Sequence, residues 1–184
     1  MMPVGPLMIE HRLIERMISL MSKEVRKIKE KSAVDPEFIA IAVDFIRTYA
    51  DKLHHGKEED ILFRDLSKKS LSAEHKKTMD ELVREHILGR EKTKNLFEAR
   101  NQYLKGSKDS LQEIVKNMEI LAEFYPKHIE KEDKHFFLPV MNYLSKEEQS
   151  AMLNEFYEFD RKFIHVKYND IVSGLDGIVK KSGH

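Results

Sequence analysis

The stretch Leu53-His54-His55-Gly56-Lys57-Glu58-Glu59-Asp60-Ile61-Leu62-Phe63 decides how this chain is read. Within it His54 and Glu58 stand four apart, one turn of helix, so both side chains leave the same face. Seventy-four residues on, His128-Ile129-Glu130-Lys131-Glu132-Asp133 repeats the order His-x-x-Lys-Glu-acid. Two His-x-x-x-Glu pairs, each inside an apolar helical pattern, are what a pair of non-haem metal ions needs. The rest of the chain has to bring them together.

The first of these pairs lies in a helix opened by Asp35-Pro36-Glu37, an N-cap Asp with Pro at the first helical position. Ile39, Val43, Ile46, Ala50, Leu53, Ile61 and Leu62 predict one inward face running to about Leu66. Gly56 inside that helix costs about 1 kcal/mol against Ala, which points to something packing close to it. Upstream, Leu7, Met8, His11, Ile14, Ile18, Met21, Val25 and Ile28 predict a helix beginning near Leu7. Downstream, Ser72 caps a third helix carrying Met79, Leu82, Val83, His86, Leu96 and Phe97, fading near Leu104. A fourth carries Leu111, Ile114, Met118, Leu121, Phe124, Tyr125, His128 and Glu132, with Pro126 expected to kink it just before His128. Ser145-Lys-Glu-Glu148 is a capping box that opens a fifth, with Met152, Phe156, Phe159, Phe163 and Val166 in step and fraying expected at Gly174 and Gly177.

Short connections between four long helices predict an all-α fold, an up-down-up-down antiparallel four-helix bundle over residues 1–144. Residues 145–184 form an appended C-terminal helical extension, packed on the bundle or in a dimer contact. In such a bundle, residues equidistant from a turn face each other. The midpoint of His11 and His54 falls between residues 32 and 33, in the first connection. That of Glu58 and His86 is residue 72, and that of His86 and His128 is residue 107, both at later connections. Six side chains, His11, His54, Glu58, His86, His128 and Glu132, therefore reach one level. The chain also reads as a duplicated two-helix unit, with His-to-His separations of 43 and 42.

Composition narrows the chemistry. Lys plus Arg and Asp plus Glu both number 32, so no bulk charge favours nucleic acid or anionic lipid. Cysteine is absent, which excludes thiolate ligands and disulfides and leaves only nitrogen and oxygen donors. Neither a secretory leader nor a membrane-length apolar run is visible, so a cytoplasmic location is expected. Four imidazoles with two carboxylates suit iron, manganese or zinc, and open positions favour a redox di-iron centre. Burying two carboxylates without a cation would be costly.

At these residues the chain resembles the hemerythrin-like, HHE cation-binding family over about residues 7–142. His54-His55-Gly56-Lys57-Glu58-Glu59-Asp60-Ile61-Leu62-Phe63 is similar to the second-helix signature of that family, and Tyr125-Pro126-Lys127-His128-Ile129-Glu130-Lys131-Glu132 to its fourth-helix signature. The resemblance implies two iron ions with an oxo or hydroxo bridge. It places His11 and His54 on one ion, His86 and His128 on the other, and Glu58 and Glu132 across both. Oxygen carriers of the family have a further His one turn after the third-helix ligand, where this chain has Arg90. With two histidines per ion the chain is closer to the branch that includes the iron-cluster repair di-iron proteins, without their cysteine-containing region.

Among the neighbours, His55 points about 100° away from His54 on a regular α-helix and reads as outside the ligand set or on the surface. Glu10 and Glu85 are candidates to hold neighbouring imidazoles, with a solvated face as the alternative. Glu132-x-x-His135 is a ferritin-like spacing that does not recur at Ile61. Glu15 is a weaker extra candidate, and Tyr49 and Tyr125 are candidate hydrogen-bond donors or packed core residues. His75, His165 and His184 fall outside the layer.

The expected function is to bind or reduce a small diatomic or peroxide species, oxygen, nitric oxide or hydrogen peroxide. Whether that is enzymatic stays open, and turnover would call for a redox partner protein. A reversible oxygen or nitric oxide binding or sensing module, and an iron donor for iron-sulfur cluster repair, are the alternatives.

Overall fold

The computed structural model describes the backbone of residues 2–182 and the side chains of residues 2–163, 165 and 167. Helix α1 (Val4–Lys31) starts three residues before the expected Leu7. Pro6 falls in its first turn, where a missing N–H leaves no bond unmade. It ends where Ser32 takes a left-handed conformation, φ 50°, and its N–H bonds the Ile28 carbonyl at 2.8 Å. Helix α2 (36–66) begins as expected, the Asp35 carboxylate accepting from the Glu37 and Phe38 N–H groups. It is not a uniform α-helix, because Ile46–His55 and Glu58–Phe63 are π-helical.

Helix α3 (Ala73–Leu104) is capped by the Ser72 hydroxyl, which accepts from the His75 N–H. Helix α4 (110–140) runs through Pro126, widens into a π-turn at Glu132–Phe136, and closes at Phe137–Val140. Helix α5 (Lys146–Ser182) opens on the predicted capping box, Ser145 N–H to Glu148 at 2.8 Å and Glu148 N–H to Ser145 Oγ at 3.2 Å. It continues helically through Gly174 and Gly177, where fraying was expected. No strand occurs among the described residues.

Side-chain pairs give the helix directions. Arg12 meets Asp133 while Lys29 meets Glu119, so α1 and α4 run opposite ways. Arg100 reaches the Pro36 carbonyl and His86 reaches Glu59, so α2 and α3 do too. Glu81 and Glu85 meet Lys131, whereas Gly89, further along α3, packs on Phe124, earlier in α4. The four helices therefore form the up-down-up-down bundle.

Its interior is two apolar clusters with a polar layer between them. One gathers residues including Ile14, Ile18, Met21, Ile28, Ile39, Val43, Leu96, Met118 and Leu121. The other gathers Leu7, Ile61, Leu62, Leu66, Leu82, Phe136, Phe137 and Val140, and takes Met152 and Phe156 from α5. The extension thus starts on this end of the bundle and runs back along α2, where Lys167 comes within 3.9 Å of Asp44. Phe159 sits so close to Gly56 that a Cβ there would come within 2.9 Å of its ring, which accounts for the glycine. Leu53, expected inward, instead lines a surface groove bounded by Phe45 and Phe163. The Val166 side chain and His184 lie outside the described residues. No described helix is long and apolar enough to cross a membrane.

Candidate metal centre

The polar layer consists of His11 from α1, His54 and Glu58 from α2, His86 from α3, and His128 and Glu132 from α4, all fully or almost fully buried. All six residues singled out by spacing converge there. The Nε2 atoms of His11 and His54 lie 2.9 Å apart. Glu58 sits between the two halves, one oxygen 3.3 Å from His54 Nε2 and the other 3.3 Å from His86 Nε2. Glu132 does the same, 3.1 Å from His11 Nε2 and 3.3 Å from His128 Nε2. Both oxygens of each carboxylate, with Nε2 of His86 and His128, are buried without a hydrogen-bond partner. Such groups cost about 1–3 kcal/mol each, more when charged, unless something satisfies them. A four-nitrogen, two-carboxylate set with inward orphan atoms fits cations of the iron, manganese or zinc kind.

The inward direction of the Nε2 atoms is set from outside. Each imidazole donates from Nδ1 to a carboxylate: His54 to Glu10 at 2.8 Å, His128 to Glu85 at 2.8 Å, His86 to Glu59 at 2.6 Å and His11 to Asp133 at 2.7 Å. A carboxylate can only accept, so the Nε2 lone pair is left facing the centre. Lys57 and Lys131 in turn hold Glu10 and Glu85. The repeated motif is therefore a complete device. Its His and Glu face the centre, its Lys steadies the acid of the preceding helix, and its last acid, Glu59 or Asp133, crosses to the His of the other half. Spacing suggested Glu10 and Glu85. Glu59 and Asp133 were missed, although their place in both copies of the repeat was the signal.

The charges are strongly coupled. Burial pulls His11 down, but Asp133 and Glu132 outweigh it and its imidazole is pushed up to about 10. Burial also opposes charge on His86, yet Glu132, Glu58 and Glu59 push it up to about 11. Burial raises Glu132, as does Glu58 beside it, but the surrounding imidazoles hold it down at about 2. Glu58, despite burial, is held well below the carboxylate range by His54 and His86. Without a cation, protons on the imidazoles are the counter-charge of the two carboxylates. A metal ion takes over that role.

Other candidates fall elsewhere. His55 is neither on the surface nor bonded in the layer: it is 2 % exposed and lies on the His86 ring, centroids 3.9 Å apart. A rotation of 100° from His54 still faces a neighbouring helix of the bundle, as Ile129 beside His128 also shows: it lies on a regular α-helix and is equally buried. Glu15 pairs with Arg12 near the surface, and His135 is exposed, which removes the ferritin-like wiring. Arg90 bridges Asp51 and Glu59, so it steadies the Nδ1 partner of His86. His75 bonds the Tyr143 hydroxyl at 2.9 Å, away from the layer.

A family model described as the hemerythrin HHE cation binding domain matches residues 2–140. No curated protein and no solved structure gives a significant match.

Proposed function

The chain belongs to the hemerythrin HHE cation-binding family, and from that premise we propose that it is a non-haem di-iron protein that binds or reduces oxygen, nitric oxide or hydrogen peroxide. In this reading His11 and His54 would hold one iron and His86 and His128 the other, with Glu58 and Glu132 as the carboxylates available to both. The observation that carries it is the set of six buried, unpartnered donor atoms on Glu58, Glu132, His86 and His128, all at one level of the bundle. Two irons supply electrons in pairs to a small oxygen- or nitrogen-containing molecule when they are bound.

The chain contributes position and dryness. Glu10, Glu59, Glu85 and Asp133 fix the imidazole tautomers and orientations. Phe137 stacks on His11 at 5.6 Å and Phe63 on His86 at 6.1 Å, so bulk water is kept from both pairs. Net reduction of oxygen or nitric oxide with turnover would need an external electron donor, the role of a redox partner protein, whereas disproportionation of peroxide would not. A second reading, reversible binding with signalling, is favoured by one observation. Asp160 of α5 pairs with Lys57 at 2.7 Å, Lys57 holds Glu10, and Glu10 holds His54, so the layer is linked to the extension.

Anaerobic loading with ferrous iron tests the proposal. About two irons per chain are expected, and less than half an equivalent would overturn it. Exposure to oxygen, nitric oxide or peroxide under a visible spectrum then separates the readings. A stable reversible adduct marks a carrier or sensor, and repeated conversion to a ferric product marks reduction.

A further inference from the structure

The two halves share their ligand pattern but not its surroundings. Positions 75 apart on α1 and α3, and 74 apart on α2 and α4, correspond, as His11 does to His86 and His54 to His128. In this register Ile14 and Ile18 correspond to Gly89 and Thr93, and Leu121 and Ile129 to Arg47 and His55. The first set, Ile14, Ile18, Leu121 and Ile129, belongs to one buried apolar cluster. Their counterparts instead bound a cavity of about 140 Å³ between α2 and α3, completed by Ile46, Asp51, Arg90 and Tyr125. Aliphatic bulk fills one side of the layer. On the other side a glycine, a hydroxyl, a guanidinium and an imidazole leave room.

His55 forms the inner wall of that room. Its Nδ1 is buried and unpartnered, 3.5 Å from Asp51 Oδ1 and too poorly aligned to bond it. One of its ring nitrogens lies within 4.8 Å of ring nitrogens of both His86 and His128. Yet it is not placed as a further ligand. Its ring is within 10° of parallel to His86, and two parallel rings 3.9 Å apart cannot both aim an in-plane lone pair at one ion. A buried polar ring here, where the other half has Ile129, is costly unless it meets a polar visitor.

We propose that this cavity is the pocket through which a small polar ligand of two or three non-hydrogen atoms reaches the metal held by His86 and His128, and that His55 is its hydrogen-bonding gate. The pocket is well below the roughly 300–1,000 Å³ that organic ligands require, so the occupant is of diatomic, peroxide or small-anion size. The two ions are then inequivalent, since the positions that bound this cavity are filled in the other half by the buried Ile14, Ile18, Leu121 and Ile129. The proposal rests on the di-iron reading above and fails separately from it.

Azide binding to the oxidised, iron-loaded full chain is the test, with iron content measured alongside. His55→Phe keeps a stacked ring but removes both nitrogens. It is expected to retain two irons and to weaken azide binding by about tenfold or more, as loss of a hydrogen bond to a charged group does. Gly89→Leu fills the cavity and is expected to slow azide association by at least tenfold, with the iron retained. Unchanged azide affinity and rate in both variants would overturn the proposal, as would failure of the iron-loaded wild type to bind azide. Loss of one iron in His55→Phe would also overturn it, by making His55 a ligand. Should Gly89→Leu fail to fold, His55→Phe decides alone. Absence of iron in the wild type would instead count against the di-iron reading.

Discussion

At the residue scale, the layer depends as much on the carboxylates behind the imidazoles as on the imidazoles. Glu85 accepts from His128 Nδ1 and is itself held by Lys131; burial raises its carboxyl, but these two bonds keep it below the usual range. Glu85→Ala frees the His128 ring to turn and to switch tautomer. Metal affinity is expected to fall by roughly 10–100-fold, measured by competition with a chelator, while thermal stability of the metal-free protein changes little. An unaltered affinity would show that packing alone orients His128. The protonation states give a second expectation. His11 and His86 are raised to about 10 and about 11, above their usual 6.5. In the metal-free fold their stabilising protonation is complete below pH 6.5 and is lost as pH climbs towards 10–11. Metal binding needs both rings neutral, so loading at pH 7 releases protons and apparent affinity rises with pH across the neutral range. Titrations at pH 6.5, 7.5 and 8.5 in weak buffer check this; a flat affinity would contradict it.

At the scale of elements, the caps follow the sequence. Asp35, Ser72 and the Ser145–Glu148 box open α2, α3 and α5 where the sequence places them. The π-turns were not legible, because apolar spacing of three and four is shared by α- and π-helices over so short a run. The inward place of His55 against His86 does not depend on them, since Ile129 beside His128 is equally buried on a regular α-helix. The docking of α5 is the other element-level finding. Lys57 is fully buried between Glu10 and Asp160, whereas its counterpart Lys131 is partly exposed. Lys57→Ala leaves two carboxylates facing each other. Its cost is expected at about 2 kcal/mol, short of the roughly 3–5 of a fully buried pair because Asp160 can rehydrate. Lys131→Ala is expected to cost under about 1 kcal/mol. Urea denaturation of the two metal-free variants compares them, and equal losses would mean that α5 does not bury the Lys57 contact in solution.

At the scale of the whole molecule, two apolar clusters stand on either side of a layer of buried polar atoms without hydrogen-bond partners. The clusters form the helices and the metal relieves the layer. Removing metal with a chelator is therefore expected to leave the helical circular dichroism nearly unchanged while lowering the melting temperature. With free metal at about a hundred times its dissociation constant, linkage is worth about 2.7 kcal/mol. For a chain of this size that corresponds to a drop of roughly 5–10 °C. Loss of helix on chelation would mean instead that the clusters cannot hold the bundle alone.

The sequence by itself determined the bundle and the six-residue layer. Helical period puts each candidate on an inward face, and distance from a turn sets its height, so His11, His54, Glu58, His86, His128 and Glu132 were bound to meet. Both quantities are counted along the chain. Which acid serves which imidazole, how far His55 turns inward, and what α5 covers were decided only by the tertiary structure. Those depend on rotation about each helix axis and on partners more than a hundred residues away, such as Asp133 for His11 and Phe159 for Gly56. No spacing rule within one helix contains that information.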